Sequence, residues 1–193
     1  MLPGFELQQN MSPPLRKKTS IEQAKAYNAK ESAVLILLFE KNNEPYIVLT
    51  ERKVYKGAHS GQISLPGGKR ELNETLQENA LRETQEEIGV ESKKVEILLQ
   101  LTHLYIPVSN FIVFPFVGKV NDVPELIKEE SEVEKILEVK VSDLLNAQNI
   151  VEKTIQIKSK NIQFKSPAYA VNNVEVWGAT AMILCEFLSI IES

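Results

Sequence analysis

The segment Gly61-Gln-Ile-Ser-Leu-Pro-Gly-Gly-Lys-Arg-Glu-Leu-Asn-Glu-Thr-Leu-Gln-Glu-Asn-Ala-Leu-Arg-Glu-Thr-Gln-Glu-Glu-Ile-Gly-Val90 decides the fold. Thr75 and Glu78 have capping-box spacing, in which each side chain satisfies the other's backbone N–H at a helix start. Gly89, directly after Ile88, supplies the left-handed residue that stops a helix. No proline intervenes, and every residue between tolerates helix. The spacing predicts a helix from Thr75 to Ile88, entered from a loop hinged at Gly67-Gly68.

At about 100° per residue, Ala80, Leu81, Thr84 and Ile88 share one arc of that helix and should face a core. Glu83, Glu86 and Glu87 fall on a neighbouring arc, since residues three and four apart are surface neighbours. No lysine or arginine stands among these carboxylates. Arg82 falls to another side, within reach of Glu78 or Glu74.

Two readings of the acidic arc are open at this point. Repulsion between like charges on a helix costs only about 0.2–0.5 kcal/mol per pair, so a solvated acidic face is affordable. Carboxylate oxygens are also hard ligands suited to Mg²⁺ or Mn²⁺, and Mg²⁺ takes one or two carboxylates together with water and substrate phosphate.

The wider spacing distinguishes them. Gly68, five residues, Glu74, seven residues, Arg82-Glu83, two residues, Glu86-Glu87, one residue, Gly89 resembles the Nudix box. Seven fixed residue types coincide at fixed spacing with chance odds on the order of one in a million at average residue usage. Thr84 departs from the pattern, standing where an aliphatic residue is usual. The resemblance implies an α/β/α sandwich with a mixed β-sheet, the box helix lying against the sheet. It further implies that Glu83, Glu86 and Glu87, with the Gly68 carbonyl, hold Mg²⁺ or Mn²⁺. Glu74 would brace Arg82, and the reaction would be hydrolysis of a nucleoside diphosphate derivative. A Nudix-fold sensor that binds such a metabolite without cleaving it is the reading from another class.

Upstream, Leu49-Thr50-Glu51-Arg52 is followed seven residues later by His59-Ser-Gly-Gln62 and then Leu65-Pro-Gly-Gly68. This resembles the second signature of the coenzyme A pyrophosphatase branch, with Leu65 for the usual phenylalanine and Lys53 and Lys56 at positions usually small and aliphatic. By that resemblance Arg52, Lys53, His59, Gln62 and Gly67 meet the substrate, which is coenzyme A or a derivative cleaved to 3′,5′-ADP and 4′-phosphopantetheine. Cations suit a ligand that carries a 3′-phosphate besides its pyrophosphate. An ordinary basic loop offsetting the acidic helix is the alternative. His59 reads as a hydrogen-bonding loop residue and His103 as structural. The proton of the attacking water would pass to a box glutamate, Glu86, or to Glu132 in the acidic stretch 121–134.

The rest of the chain fits one domain. Its 193 residues are 43% hydrophobic and 25% charged, with a net charge of -4 and no basic stripe, which speaks against nucleic-acid binding. The longest apolar run, Ala33 to Phe39, is too short to span a membrane. The single cysteine, Cys185, lies in an apolar run as a buried thiol, in keeping with a reducing cytoplasm. Residues 1–32 read as an N-terminal arm with a short helix from Ile21 to Ala29, either packed on the domain or serving as a lid or homodimer contact. Residues 33–193 form the catalytic domain. Its strands are expected at Ala33–Phe39, Tyr46–Thr50, Gln62–Leu65, Val95–Leu101, Phe111–Val120, Ile136–Val139, Thr154–Ile157, Ile162–Phe164 and Val174–Trp177. Pro115 implies that its strand is an edge or carries a bulge. An amphipathic helix from Ala179 to Ile191 ends the chain.

Overall fold

The computed structural model describes residues 4–14, 16, 18–54, 61–157 and 162–192. The elements run α1 (Phe5–Gln8), α2 (Ile21–Ala26), β1 (Lys30–Lys41), β2 (Glu44–Arg52), β3 (Ile63–Ser64), β4 (Gly67–Lys69) and α3 (Leu76–Ile88). They continue with β5 (Glu96–Gln100), β6 (Leu104–Ile106), β7 (Phe111–Lys119), β8 (Val133–Lys140), α4 (Val141–Leu145), β9 (Ile150–Ile157), β10 (Ile162–Val171), β11 (Val174–Trp177) and α5 (Gly178–Ile191).

The central sheet has the order β3-β2-β1-β7-β5, with β4 added to β1, β6 to β7 and β8 to β2. It is mixed, because β1 and β7 run parallel from Lys30 opposite Phe111 to Leu38 opposite Lys119 while the other pairs are antiparallel. The apolar run of β1 explains its central place. Leu35 and Leu37 pack toward α3 and Ile36 toward the opposite face, all fully buried. Each such side chain contributes on the order of 1.5–3 kcal/mol. Asn42 and Asn43 both take positive φ (55° and 60°) between β1 and β2, as a tight hairpin turn requires.

One core joins α3 to the sheet through Ala80 and Ile88, against Leu35, Leu37, Ile112 and Phe114. The second lies on the other face, where Met182, Leu184 and Phe187 of α5 meet Ile36, Ile47 and Val113. Helices thus cover both faces, as expected of the sandwich.

Several expectations change. Pro115 lies in an interior strand, between β1 and the β5–β6 side. Its missing N–H is tolerated because the neighbouring strand is interrupted there: β5 ends at Gln100, β6 begins at Leu104, and the Leu101 N–H donates to the Pro115 carbonyl at 2.8 Å. The helix opened by the Ser20–Gln23 capping box stops at Ala26 rather than Ala29, and Asn28 turns the chain with φ 53°. Strands β9, β10 and β11 form a separate three-stranded antiparallel sheet. In the N-terminal segment Met11 is 2% exposed, and Phe5 packs against the same core as α5.

Candidate active site

The cradle begins with two glycines on β4, paired antiparallel to β1 with Val34 opposite Gly67 and Ala33 opposite Gly68. A Cβ at Gly67 would overlap the backbone of Ala33 and Val34, so only glycine lets the strands close this tightly. A Cβ at Gly68 would occupy the space taken by the Glu83 carboxylate. Helix α3 rises from this point. Thr75 and Glu78 form the reciprocal capping box, and Gly89 ends the helix at φ 77°.

Arg82 organises the exposed side of the helix. Its Nε and Nη2 donate to the two Glu74 oxygens, both at 3.0 Å, in a bidentate grip. It also donates to Glu83 Oε1 (3.0 Å), to Glu86 Oε2 (2.7 Å) and to the Lys69 carbonyl (3.3 Å). Surrounded by carboxylates, its guanidinium is held well above the usual arginine pKa, with the Glu74 hydrogen bonds the largest cause. Those bonds in turn draw the Glu74 carboxyl below its ordinary value. The helical wheel sends Arg82 away from the acidic arc, and the structure corrects this. A wheel reports the Cβ direction, whereas the long arginine reaches Glu86 one turn on and spans back to Glu74 across the loop. Glu78 is not its partner, because its carboxylate accepts the Thr75 N–H at 2.7 Å.

The three box glutamates share a helix face but not an environment. Glu86 is 57% exposed and turned to Arg82. Glu83 is mostly buried, and desolvation raises its pKa against the pull of Arg82. Glu87 is 3% exposed; its Oε2 accepts the Gly67 N–H at 3.3 Å and its Oε1 stands 3.8 Å from Arg52 Nη1. Desolvation pushes its pKa up to about 7, opposed chiefly by the Arg52 charge and assisted by Glu83 and Glu132.

The acidic stretch is strapped to the end of α3, where the Ile127 and Glu129 N–H groups donate to the Ile88 and Glu87 carbonyls, each at 3.0 Å. Glu86, Glu87, Glu129, Ser131 and Glu132 thereby line one cleft of about 300 Å³. Arg52 and Lys53, at the end of β2, reach the same place. The Arg52 N–H donates to the Gln62 carbonyl and the Lys53 N–H to the Glu132 carbonyl, each at 3.0 Å, while Lys53 Nζ lies 3.3 Å from Glu134. His59 and Lys56 lie outside the described residues. Sequence reasoning missed Asn79, which is fully buried at the root of the cradle. A signal was present, since Asn79 lies one helical turn before Glu83 on the same stripe.

Among the described residues, no three His, Cys, Asp or Glu side chains meet closely enough in this structure to hold one ion. The donor set nevertheless suits a hard divalent cation. Glu83 and Glu87 are carboxylates removed from water, and the charged form of each is penalised by burial. Positive charge placed between them would relieve that penalty, and Gly68 leaves the room for Glu83.

Among the described residues no helix is long and apolar enough to cross a membrane. The NUDIX domain profile matches residues 29–158. The Nudix hydrolase NudL of Yersinia enterocolitica is 32% identical over 158 residues, covering 81% of this chain and 79% of its own length. Nudix hydrolase 3 of Caenorhabditis elegans is 27% identical over 177 residues, 82% of this chain and 72% of its own. Among solved structures, the MutT protein from Methanosarcina mazei superposes with a TM-score of 0.56 at 16% identity, over 85% of this chain and 95% of that one, a likeness of fold alone. A family match that begins one residue before β1 and takes in the whole glycine cradle and carboxylate helix places this chain in the Nudix family, as a hydrolase of nucleotide derivatives that carry a pyrophosphate.

Proposed function

We propose that this Nudix hydrolase cleaves the pyrophosphate of coenzyme A or its acyl derivatives, with Mg²⁺ or Mn²⁺, to 3′,5′-ADP and 4′-phosphopantetheine or its acylated form. The observation that supports this substrate is the position of Arg52 and Lys53. The upstream signature brings both to the rim of the carboxylate cleft, where two cations suit a ligand with a phosphate beyond its pyrophosphate.

Glu83, Glu86 and Glu87, with the Gly68 carbonyl, would hold the divalent ions that Nudix hydrolases use. When bound, these ions supply positive charge against the pyrophosphate and a lowered pKa for the attacking water. Glu74 fixes Arg82, and Arg82 in turn fixes the carboxylates of Glu83 and Glu86. Glu86 or Glu132, which both line the cleft, would accept the proton of the attacking water. The water oxygen forms a bond to one phosphorus, the bridging P–O bond breaks, and the bridging oxygen leaves on the other phosphate.

The test is chromatographic product analysis with coenzyme A, an acyl-coenzyme A, dephospho-coenzyme A, ADP-ribose, NADH and diadenosine polyphosphates, in the presence of Mg²⁺ or Mn²⁺. Preferential release of 3′,5′-ADP from coenzyme A is the expected result. Preference for ADP-ribose or NADH would overturn the substrate, and metal-dependent binding without any product would make the chain a sensor. Arg52→Ala should lower kcat/KM for coenzyme A about tenfold more than for ADP-ribose, the worth of one charge-assisted phosphate contact. Equal losses on the two substrates would sink the anchoring role.

A further inference from the structure

Asn79 is fully buried although it is polar and has a helical position with no charge to pair. Its Oδ1 accepts the Ala33 N–H at 2.9 Å, and its Nδ2 donates to the Lys69 carbonyl at 3.2 Å. Ala33 is the β1 residue opposite Gly68, and Lys69 follows Gly68 on β4. The amide thus bridges both strands at the level of the glycine against which the Glu83 carboxylate rests. Glu83 stands four positions after Asn79, so the two side chains lie one above the other on the helix. The Lys69 carbonyl is shared further, since Arg82 Nη2 donates to it at 3.3 Å.

These contacts form a chain from sheet to carboxylate. The apolar packing of α3 against the sheet is non-directional. Two directed hydrogen bonds set its height and rotation over β1 and β4. From this geometry we infer that Asn79 is a positioning residue for the Glu83–Gly68 cradle, acting on divalent-ion binding through Glu83 rather than by touching ion or substrate. The inference rests on the reading of Glu83 as a metal ligand given above. Residues that orient ligands from behind typically cost about 10–100-fold in metal affinity when removed.

The experiment measures Mn²⁺ binding by electron paramagnetic resonance, together with steady-state hydrolysis, for the wild type, Asn79→Ala, Glu83→Gln and the double variant. Each is assayed well below its own melting temperature. Asn79→Ala should raise the Mn²⁺ Kd about tenfold or more and lower kcat at saturating Mn²⁺ by a similar factor, with the nucleotide KM nearly unchanged. In the Glu83→Gln background the same substitution should add little, because its effect travels through that carboxylate. Asn79→Asp retains the volume and the bond to Ala33 but turns an oxygen toward the Lys69 carbonyl. It should show the same coupled loss, and it carries the test if the alanine variant does not fold. Unchanged Mn²⁺ affinity in both folded variants, or a loss just as large in the Glu83→Gln background, would overturn the positioning role alone. Wild-type Mn²⁺ affinity in Glu83→Gln would overturn the metal reading and this inference with it.

Discussion

Glu87 and Glu186 are both buried carboxylates, on helices that cover opposite faces of one sheet, and they are served very differently. Glu186, fully buried in α5, accepts from Gln8 Nε2 at 2.8 Å, from the Thr102 hydroxyl at 2.6 Å, from the Thr102 N–H at 3.2 Å and from the Gly4 N–H at 3.3 Å. Three segments distant in sequence are tied together on that charge. Glu87, among the described residues, meets one N–H at 3.3 Å and one guanidinium at 3.8 Å. A buried carboxylate needs several donors to offset its lost hydration. Glu186 has them and serves the fold. Glu87 lacks them beside an open cleft, and that deficit is what a cation or a ligand can fill.

The sharpest way to break this contrast is to neutralise Glu87. Glu87→Gln should cut turnover by about three orders of magnitude, roughly 4 kcal/mol of transition-state stabilisation. In EDTA at pH 8 the same variant should be more stable than the wild type. The sign follows from the shift: burial raises the Glu87 pKa from 4.5 to about 7, so between those values the folded chain binds more protons than the unfolded one. Wild-type stability is therefore drained as pH rises through that window, by about 3 kcal/mol in all. The advantage of glutamine should be absent below about pH 4.5, grow as the pH rises from there and be complete above about pH 7. Glu86→Gln should lose comparable activity without the gain, since Glu86 is half exposed and already paired with Arg82. Thermal melts across pH decide this, and a Glu87→Gln variant less stable than the wild type at pH 8 would end the comparison.

The other half is tested at Glu186. Glu186→Ala leaves the Gln8 and Thr102 donors facing a cavity and should cost about 3 kcal/mol, lowering Tm by roughly 6–12 °C. Turnover at a temperature where the variant is folded should stay within about twofold of the wild type. A large drop in kcat without loss of stability would show that the two faces are not separate in role.

The difference between these glutamates was only partly legible beforehand. Both ends of α3 are coded locally: a capping box and a helix-ending glycine each lie within four residues, so spacing alone locates them. The acidic stripe follows from the helical period in the same way. Burial of Glu87 does not, because it depends on β4 closing against β1 and on the strap of residues 127–129, dozens of positions away. The direction of Arg82 depends on Glu74 across a loop, and the place of Pro115 on a strand break fourteen residues before it. Strands β9 to β11 could be recognised one by one, yet nothing local in them dictates that they leave the main sheet. Short-range hydrogen bonding is written in short spans of sequence, whereas the electrostatics of a site arise from whichever distant segments close over it.

The smallest expected effect probes the boundary between the two kinds of position on α3 itself. Thr84 is fully buried between the core residues Ala80 and Ile88, and its hydroxyl donates to the Ala80 carbonyl at 2.7 Å. That bond stays within one helical turn and touches none of the carboxylates. Thr84→Val keeps the branched shape, removes a hydroxyl whose partner also belongs to the helix ladder, and restores the aliphatic character usual at this point of the Nudix box. Stability should change by less than about 1 kcal/mol and turnover by less than about twofold. If turnover instead fell tenfold at unchanged stability, α3 would be transmitting small shifts on its core face to Glu83 and Glu87. The height of the helix over β1 and β4 would then be set by packing as much as by the Asn79 amide.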